Sequence, residues 1–214
     1  MRLYTYWRSS CSWRVRISLH FKGLAFESVP VHLVRGGGQQ HDAGYLGKNP
    51  MGQVPALETD EGLLTQSLAI LEYLEERYPS PALLPADRVG RAHARAIAEA
   101  INSGVQPLQN LAVLQHLGQA YGAEAPPWAK HWITRGLARV EQMVGAGPFA
   151  VGEAPTFADA CIVPQLYNAR RFGCPVEAWP RLLAVEAACA ALPAFVSARP
   201  ENQHDYVARF GVER

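Results

Sequence analysis

Ten consecutive residues, Trp7-Arg8-Ser9-Ser10-Cys11-Ser12-Trp13-Arg14-Val15-Arg16, bring together hydroxyls, a thiol and guanidinium groups. They follow an aromatic, alternating stretch and lead into a helical pattern, so a helix begins inside this run. A helix start offers unpaired N–H groups and a partial positive charge, which stabilise an anion and depress the pKa of a thiol held against them. The hydroxyls of Ser9 and Ser10 can donate to a thiolate, and Arg8 adds formal charge at the same edge. The serines would serve equally as simple caps. Arg14 and Arg16 read as a solvated or ion-paired helix face.

Two further segments could take part. In Gln53-Val54-Pro55-Ala56-Leu57 a proline enters a strand, which suits an edge or a strand start. A cis bond before Pro55 would leave the Val54 main chain open to pair with an extended peptide. In Thr65-Gln66-Ser67-Leu68-Ala69-Ile70 a second helix start suits a carboxylate, with Gln66 able to orient an amino-acid end group. An edge strand between two helix starts, one equipped for sulfur and one for carboxylate, would hold a small thiol peptide.

The elements that must position these groups change character near residue 80. Before it, strands over Leu3–Trp7, Phe26–Val31, Val54–Leu57 and Gly62–Leu64 alternate with helices over Ser12–Lys22 and Ser67–Tyr78. The last two strands form a hairpin around Asp60-Glu61-Gly62. Gly36-Gly37-Gly38-Gln39-Gln40 reads as a mobile loop without the spacing of a phosphate cradle. From Asp87 on, helical patterns dominate: Arg88–Leu117, broken or kinked at Pro107, then Pro127–Val144. Thr156-Phe157-Ala158-Asp159 has the spacing of a capping box, starting a helix that runs to about Arg171. Asp159 is therefore expected to cap and not to act as an acid. The reading is an α/β domain over residues 1–81 followed by an all-α domain over 87–214.

Composition narrows the classes. Twenty Lys+Arg against 19 Asp+Glu leave a net charge of +1, which argues against a nucleic-acid binder. A hydrophobic fraction of 49% argues against disorder. Cys11, Cys161, Cys174 and Cys189 have neither metal nor disulfide-scaffold spacing, so buried thiols in a reducing cytoplasm are expected. No apolar run reaches membrane length, and Arg2, Arg8 and Arg14 interrupt any leader-like core. The histidines show no metal spacing, and no metal site is expected. Any binding must rest on a few placed groups.

Those groups, in this order, resemble the zeta class of the glutathione transferases. Residues 9–16 are similar to that class's signature, and Gln53–Leu57 and Gln66–Ile70 to its glutathione-binding elements. Gln106-Pro107-Leu108-Gln109-Asn110-Leu111, Val163-Pro164-Gln165 and Asn168-Ala169-Arg170-Arg171-Phe172 extend the likeness over nearly the whole chain. The resemblance implies a thioredoxin-like domain with a cis Pro55, an all-helical C-terminal domain and a homodimer, with glutathione as cofactor. It implies that Ser9 assists the thiolate, with Ser10 and Cys11 lining the same pocket and Cys11 in a supporting or redox-sensitive role. Val54 would pair with the cysteinyl residue, while Gln66 and Ser67 would hold the γ-glutamyl end. Gln40 and Gln106 would also approach the cofactor, although the glycine-rich loop departs from the family pattern.

The implied reaction is cis-trans isomerisation of maleylacetoacetate in tyrosine breakdown. Thiolate addition to the cis double bond would give an enolate, a single bond free to rotate, and elimination to the trans product. Arg8 and Arg171 are the candidates for the substrate's carboxylates, because guanidinium groups hold carboxylates bidentately, with Arg170 a lesser candidate. Alternatives are maleylpyruvate isomerisation, conjugation or dehalogenation of small α-halo acids, and a non-catalytic binding module. The maleylpyruvate branch resembles this chain but carries His at the place of Gln106, which favours maleylacetoacetate.

Overall fold

A computed structural model describes residues 1–206 of the 214. In order, the main elements are β1 (Arg2–Thr5), α1 (Ser10–Phe21), β2 (Glu27–Pro30), α2 (Ala43–Leu46), β3 (Ala56–Glu58), β4 (Leu63–Thr65) and α3 (Ser67–Arg77). They are followed by α4 (Arg88–Gly104), α5 (Leu111–Tyr121), α6 (Ala125–Met143), α7 (Phe157–Arg171), α8 (Pro180–Ala190) and the short α9 (Pro193–Ser197). Two compact units divide the chain. The first takes Met1–Pro81 and the described residues from Leu192 on; the second is Ala82–Ala191.

The first unit is an α/β thioredoxin-like domain whose sheet has the order β2-β1-β3-β4. β1 runs parallel to β2 and antiparallel to β3, and β3 runs antiparallel to β4. Strand side chains alternate between faces. Leu3 stands opposite Leu57, and both are fully buried, as are Val15, Ile17 and Leu19 of α1 and Ile70, Leu71 and Leu74 of α3. The neighbouring pair, Tyr4 and Ala56, belongs to a second apolar cluster with Tyr6, Trp7, Val31, Tyr45 and Val54. The hairpin between β3 and β4 closes where expected, with Thr59 N–H donating to Gly62 O at 2.9 Å. β3 is an inner strand and not an edge; of the two places that suit a proline, Pro55 takes the strand start, where it precedes the ladder and removes no donor from it.

The first helix begins at Ser10, earlier than the Ser12 start expected, because Ser9 caps it and β1 already ends at Thr5. Its most informative departure is burial. Arg14 and Arg16 are 0% exposed, so of the expected solvated or ion-paired face the solvated reading is wrong. Arg16 donates to Ala198 O (3.1 Å), Thr5 Oγ1 (3.0 Å), Tyr6 O (3.3 Å) and Trp7 O (2.9 Å), and so its buried donors are used by main-chain and hydroxyl oxygens. Its hold on Ala198 and the packing of α1 on α9 are why the chain beyond Leu192 joins the first unit instead of ending the helical one, as had been expected. At the other end of α1, buried Lys22 meets Glu75 at 2.8 Å and the carbonyls of Tyr78 (2.6 Å) and Pro81 (2.9 Å). The glycine-rich segment, expected as a mobile loop, forms two 3-10 turns over Arg35–Gly37 and Gln39–His41.

The second unit is entirely helical among the described residues. The expected Arg88–Leu117 helix is broken into α4, a 3-10 turn over Gln106–Gln109 and α5, with Pro107 inside the turn. α7 starts and stops as expected and runs through Pro164. Its capping box is complete: Thr156 Oγ1 accepts from Ala158 N–H at 3.2 Å, and Asp159 Oδ2 accepts from the Thr156 N–H and hydroxyl, each at 2.7 Å. Asp159 Oδ1 also takes the Ala150 N–H at 2.8 Å, so the carboxylate pins the preceding loop to the helix. Burial pushes the Asp159 carboxyl above its usual range, and these donors pull against that shift. Asp159 is thus a structural cap. No helix among the described residues is long and apolar enough to cross a membrane.

Replacing Asp159 with Ala removes acceptors for three donors in a site with no water access. The expected loss of stability is about 3 kcal/mol, from one lost cap plus unsatisfied buried donors. Urea denaturation measures it; a loss below about 1 kcal/mol would mean that the box does not secure α7.

Candidate functional site

The register of the sheet brings the three candidate segments together. Tyr4 pairs with Ala56, and Ala56 pairs with Thr65. Because β3 runs antiparallel to both neighbours, the end of β1, the start of β3 and the end of β4 lie at one end of the sheet. The Arg8–Cys11 turn, the Val54–Pro55 bond and the start of α3 therefore share that end.

At the first of these, Ser9 accepts from Ser12 N–H at 3.2 Å while its own N–H donates to Tyr6 O at 3.0 Å. Capping uses the hydroxyl oxygen as an acceptor and leaves its hydrogen to donate outward, so the cap and the thiolate partner are compatible roles. Ser10 is buried and Cys11 partly exposed in the first turn of α1. Arg8 is partly buried, its guanidinium carbon 5.3 Å from the Trp7 ring centre and 5.9 Å from that of Tyr6, and it has no carboxylate partner among the described residues. Stacking of this kind holds a guanidinium in place while leaving its in-plane donors available.

The second segment has the expected cis Val54–Pro55 bond. Gln53 O is clamped by the Tyr45 hydroxyl at 2.6 Å and Asn49 Nδ2 at 2.7 Å, and the Val54 side chain is buried. The Val54 N–H and C=O have no hydrogen-bond partner among the described residues. An extended strand needs both groups for pairing, so this is the open main chain that a bound peptide would use.

The third segment starts at Gln66, which has φ 68° and is the one non-glycine residue at positive φ among those described. Backbone held in this region is strained, and such strain concentrates at ligand-binding positions. The Gln66 side chain is exposed, whereas Ser67 is buried and accepts from Arg14 Nη1 at 3.2 Å. Arg14 thus puts a buried cation beneath the helix start proposed for a carboxylate. The sequence reading missed this role, and it missed the clamp by Tyr45 and Asn49. The available signal was the run Trp13-Arg14-Val15-Arg16-Ile17, in which apolar residues at alternate positions leave a helix no polar stripe for its arginines.

The remaining candidates stand as follows. Gln40 is buried and its Nε2 donates inward to Leu33 O at 3.2 Å, beneath the tightly approaching Gly38. That contact gives it a hold on the loop conformation. In the second unit, Gln106 opens the 3-10 turn after α4, partly exposed. Arg171 ends α7, exposed, with its guanidinium 4.8 Å from the Phe172 ring centre. Arg170 is instead engaged by Glu186 through two contacts of 2.6 and 2.5 Å, which leaves it a poor candidate for substrate. No group of His, Cys, Asp and Glu placed for a metal ion occurs among the described residues.

A family model described as glutathione S-transferase, N-terminal domain, matches residues 3–82. Maleylacetoacetate isomerase of Pseudomonas aeruginosa is 50% identical over 209 residues, covering 96% of this chain and 98% of that protein. A crystal structure of maleylacetoacetate isomerase from Anaeromyxobacter dehalogenans with dicarboxyethyl glutathione and citrate in the active site superposes with a TM-score of 0.86 at 50% identity, covering 97% of this chain and 94% of that one. The holo structure of a maleylpyruvate isomerase, described as a bacterial zeta-class glutathione transferase, superposes with a TM-score of 0.93 at 39% identity, covering 97% of this chain and all of that one.

Because Gln66 is strained, Gln66→Gly should stabilise the protein by about 1 kcal/mol, the relief of strain exceeding the entropy that glycine loses. Gln66→Ala should give no gain. Chemical denaturation decides this, and a destabilised glycine variant would show that the backbone is at ease in this conformation.

Proposed function

The chain belongs to the zeta class of the glutathione transferases, and from that membership we propose that it isomerises maleylacetoacetate to fumarylacetoacetate in tyrosine and phenylalanine breakdown. The enzyme is a glutathione-dependent cis-trans isomerase. The observation that carries the cofactor is the open Val54 main chain between two helix starts at one end of the sheet, a fit for a short extended peptide with a thiol and carboxylates. When bound, glutathione would supply a thiolate for reversible addition to the cis double bond, leaving that same carbon–carbon bond single and free to rotate before elimination. A dicarboxyethyl group on glutathione, as in the Anaeromyxobacter structure, is what such an addition to a four-carbon cis diacid would leave.

In this reading each residue has a limited task. The Ser9 hydroxyl donates to the thiolate, and the first-turn N–H groups beside Ser10 and Cys11 add positive potential that favours ionisation. Val54 pairs through its main chain, Pro55 keeps that main chain turned outward, and Gln66 and Ser67 hold the γ-glutamyl end over buried Arg14. Gln40 supports the cofactor from the glycine-rich turn, and the likeness to the zeta class gives Gln106 a part in holding it too. Arg8 and Arg171 take the diacid's carboxylates, which both orients the double bond and discriminates against uncharged alkenes. Maleylpyruvate is the second reading, favoured by the closeness in fold to the maleylpyruvate isomerase.

We also place the enzyme in the cytoplasm as a homodimer. Met51, 66% exposed in the loop before β3, is an apolar side chain that a second copy would cover. Met51→Glu should shift sedimentation toward monomer, and an unchanged profile would remove Met51 from the interface.

An absorbance assay with maleylacetoacetate and maleylpyruvate, each with and without glutathione, tests the activity. Glutathione-dependent conversion is expected, with the higher kcat/KM for maleylacetoacetate; conversion of neither substrate would refute isomerisation. Ser9→Ala should lower turnover by about 100-fold, the scale of losing one hydrogen-bond donor to a charged reacting atom. Near-normal turnover would take Ser9 out of the mechanism.

A further inference from the structure

We propose that Asp205 and Tyr206 are positioning residues that set the place of the Arg8 guanidinium, and with it the affinity for the diacid substrate. The inference rests on the reading of Arg8 as a carboxylate ligand. Its starting observation is the way the described end of the chain returns to the turn after β1.

Trp7 is held from both sides of its main chain. Its N–H donates to Asp205 Oδ2 at 3.1 Å, and its carbonyl accepts from Arg16 Nη2 at 2.9 Å. Arg16 also holds Ala198 O, so one buried cation ties the turn and the returning segment to α1. Burial lowers the Arg16 pKa to about 9, and the negative charge of Asp205 opposes that shift. The guanidinium therefore stays charged at neutral pH and keeps its four acceptors.

The Trp7 ring is fixed as well. It is 4% exposed, and the Tyr206 ring meets it edge-on, with centres 5.1 Å apart and planes at 88°. Arg8, the next residue, rests its guanidinium over that same indole. The order of support runs from Asp205 and Tyr206 to Trp7 and from Trp7 to Arg8. Ser9 is anchored by other hydrogen bonds, its N–H donating to Tyr6 O and its hydroxyl oxygen accepting from Ser12 N–H, and neither bond is made by Asp205 or Tyr206. Loosening Trp7 should then disturb the grip on the diacid more than the step assisted by Ser9.

Steady-state kinetics at saturating glutathione, with whichever of maleylacetoacetate or maleylpyruvate is turned over, provide the test. Tyr206→Leu and Asp205→Ala should each raise KM for the diacid about tenfold, the scale of one lost aromatic or charge-assisted contact, with kcat changed less than about twofold. Calorimetric affinity for glutathione should stay at the wild-type value. Asp205→Asn, whose amide oxygen can still accept from Trp7 N–H, should recover most of the loss. In an Arg8→Ala background, Tyr206→Leu should add nothing, because the ring would no longer carry the group it positions. Additive losses, a fall in kcat at constant KM, or weakened glutathione binding would overturn the proposal. If Arg8→Ala alone left KM unchanged, the reading of Arg8 would fail and take the proposal with it. Tyr206→Leu keeps an apolar side chain at a partly exposed position against the same cluster, so the test survives even if Asp205→Ala does not fold.

Discussion

The pairing of Tyr4 with Ala56 and of Ala56 with Thr65 governs everything that follows in the first unit. Side chains alternate along a strand, so a slip of one residue would turn Leu3 and Leu57 away from the helices and put Tyr4 in their place. The same slip would misalign the ends of β1 and β4 with the start of β3. Three chain segments far apart in sequence supply one site because these strand ends coincide. The aliphatic packing of Leu3, Leu57, Val15, Ile17 and Leu74 enforces the register, and the chemistry depends on it.

Upon that frame, buried cations do what a surface charge could not. Arg14, Arg16 and Lys22 all lie on or just after α1, nearly or wholly shielded from water. A charge in such surroundings is tolerated only with its donors used, and each of these finds acceptors on another element: Ser67, the carbonyls after β1 and of Ala198, and Glu75 with the carbonyls of Tyr78 and Pro81. They connect α1 to α3, to the turn carrying Arg8 and Ser9, and to the chain beyond Leu192. A net charge of +1 conceals this arrangement.

Much of the molecule was legible in advance where the governing forces are local. Thr156 and Asp159 are three residues apart, so their capping box forms within one turn and announces the start of α7 whatever surrounds it. Pro107 breaks its helix for an equally local reason, the missing N–H and the ring's bulk. Ser9 was readable as a cap from the hydroxyl at the strand–helix junction. Arg14 and Arg16 were not: whether an arginine on a helix faces water depends on what covers it, and both faces of α1 are covered. Whether Pro55 marked an edge or a strand start was open for the same kind of reason, since strand order is a long-range property.

By itself, the sequence determined the two-part division into α/β and helical segments, the helix starts with their hydroxyl caps, and the residue types suited to a thiol and a carboxylate. Those properties arise from neighbours within a few positions, and short-range sterics and hydrogen bonding express them directly. Only the tertiary structure decided that β3 is an inner strand, that Arg14 lies under Ser67, and that Asp205 reaches back 198 residues to the peptide of Trp7. Such contacts join segments whose separation along the chain carries no signal, and it is burial and register that bring them together.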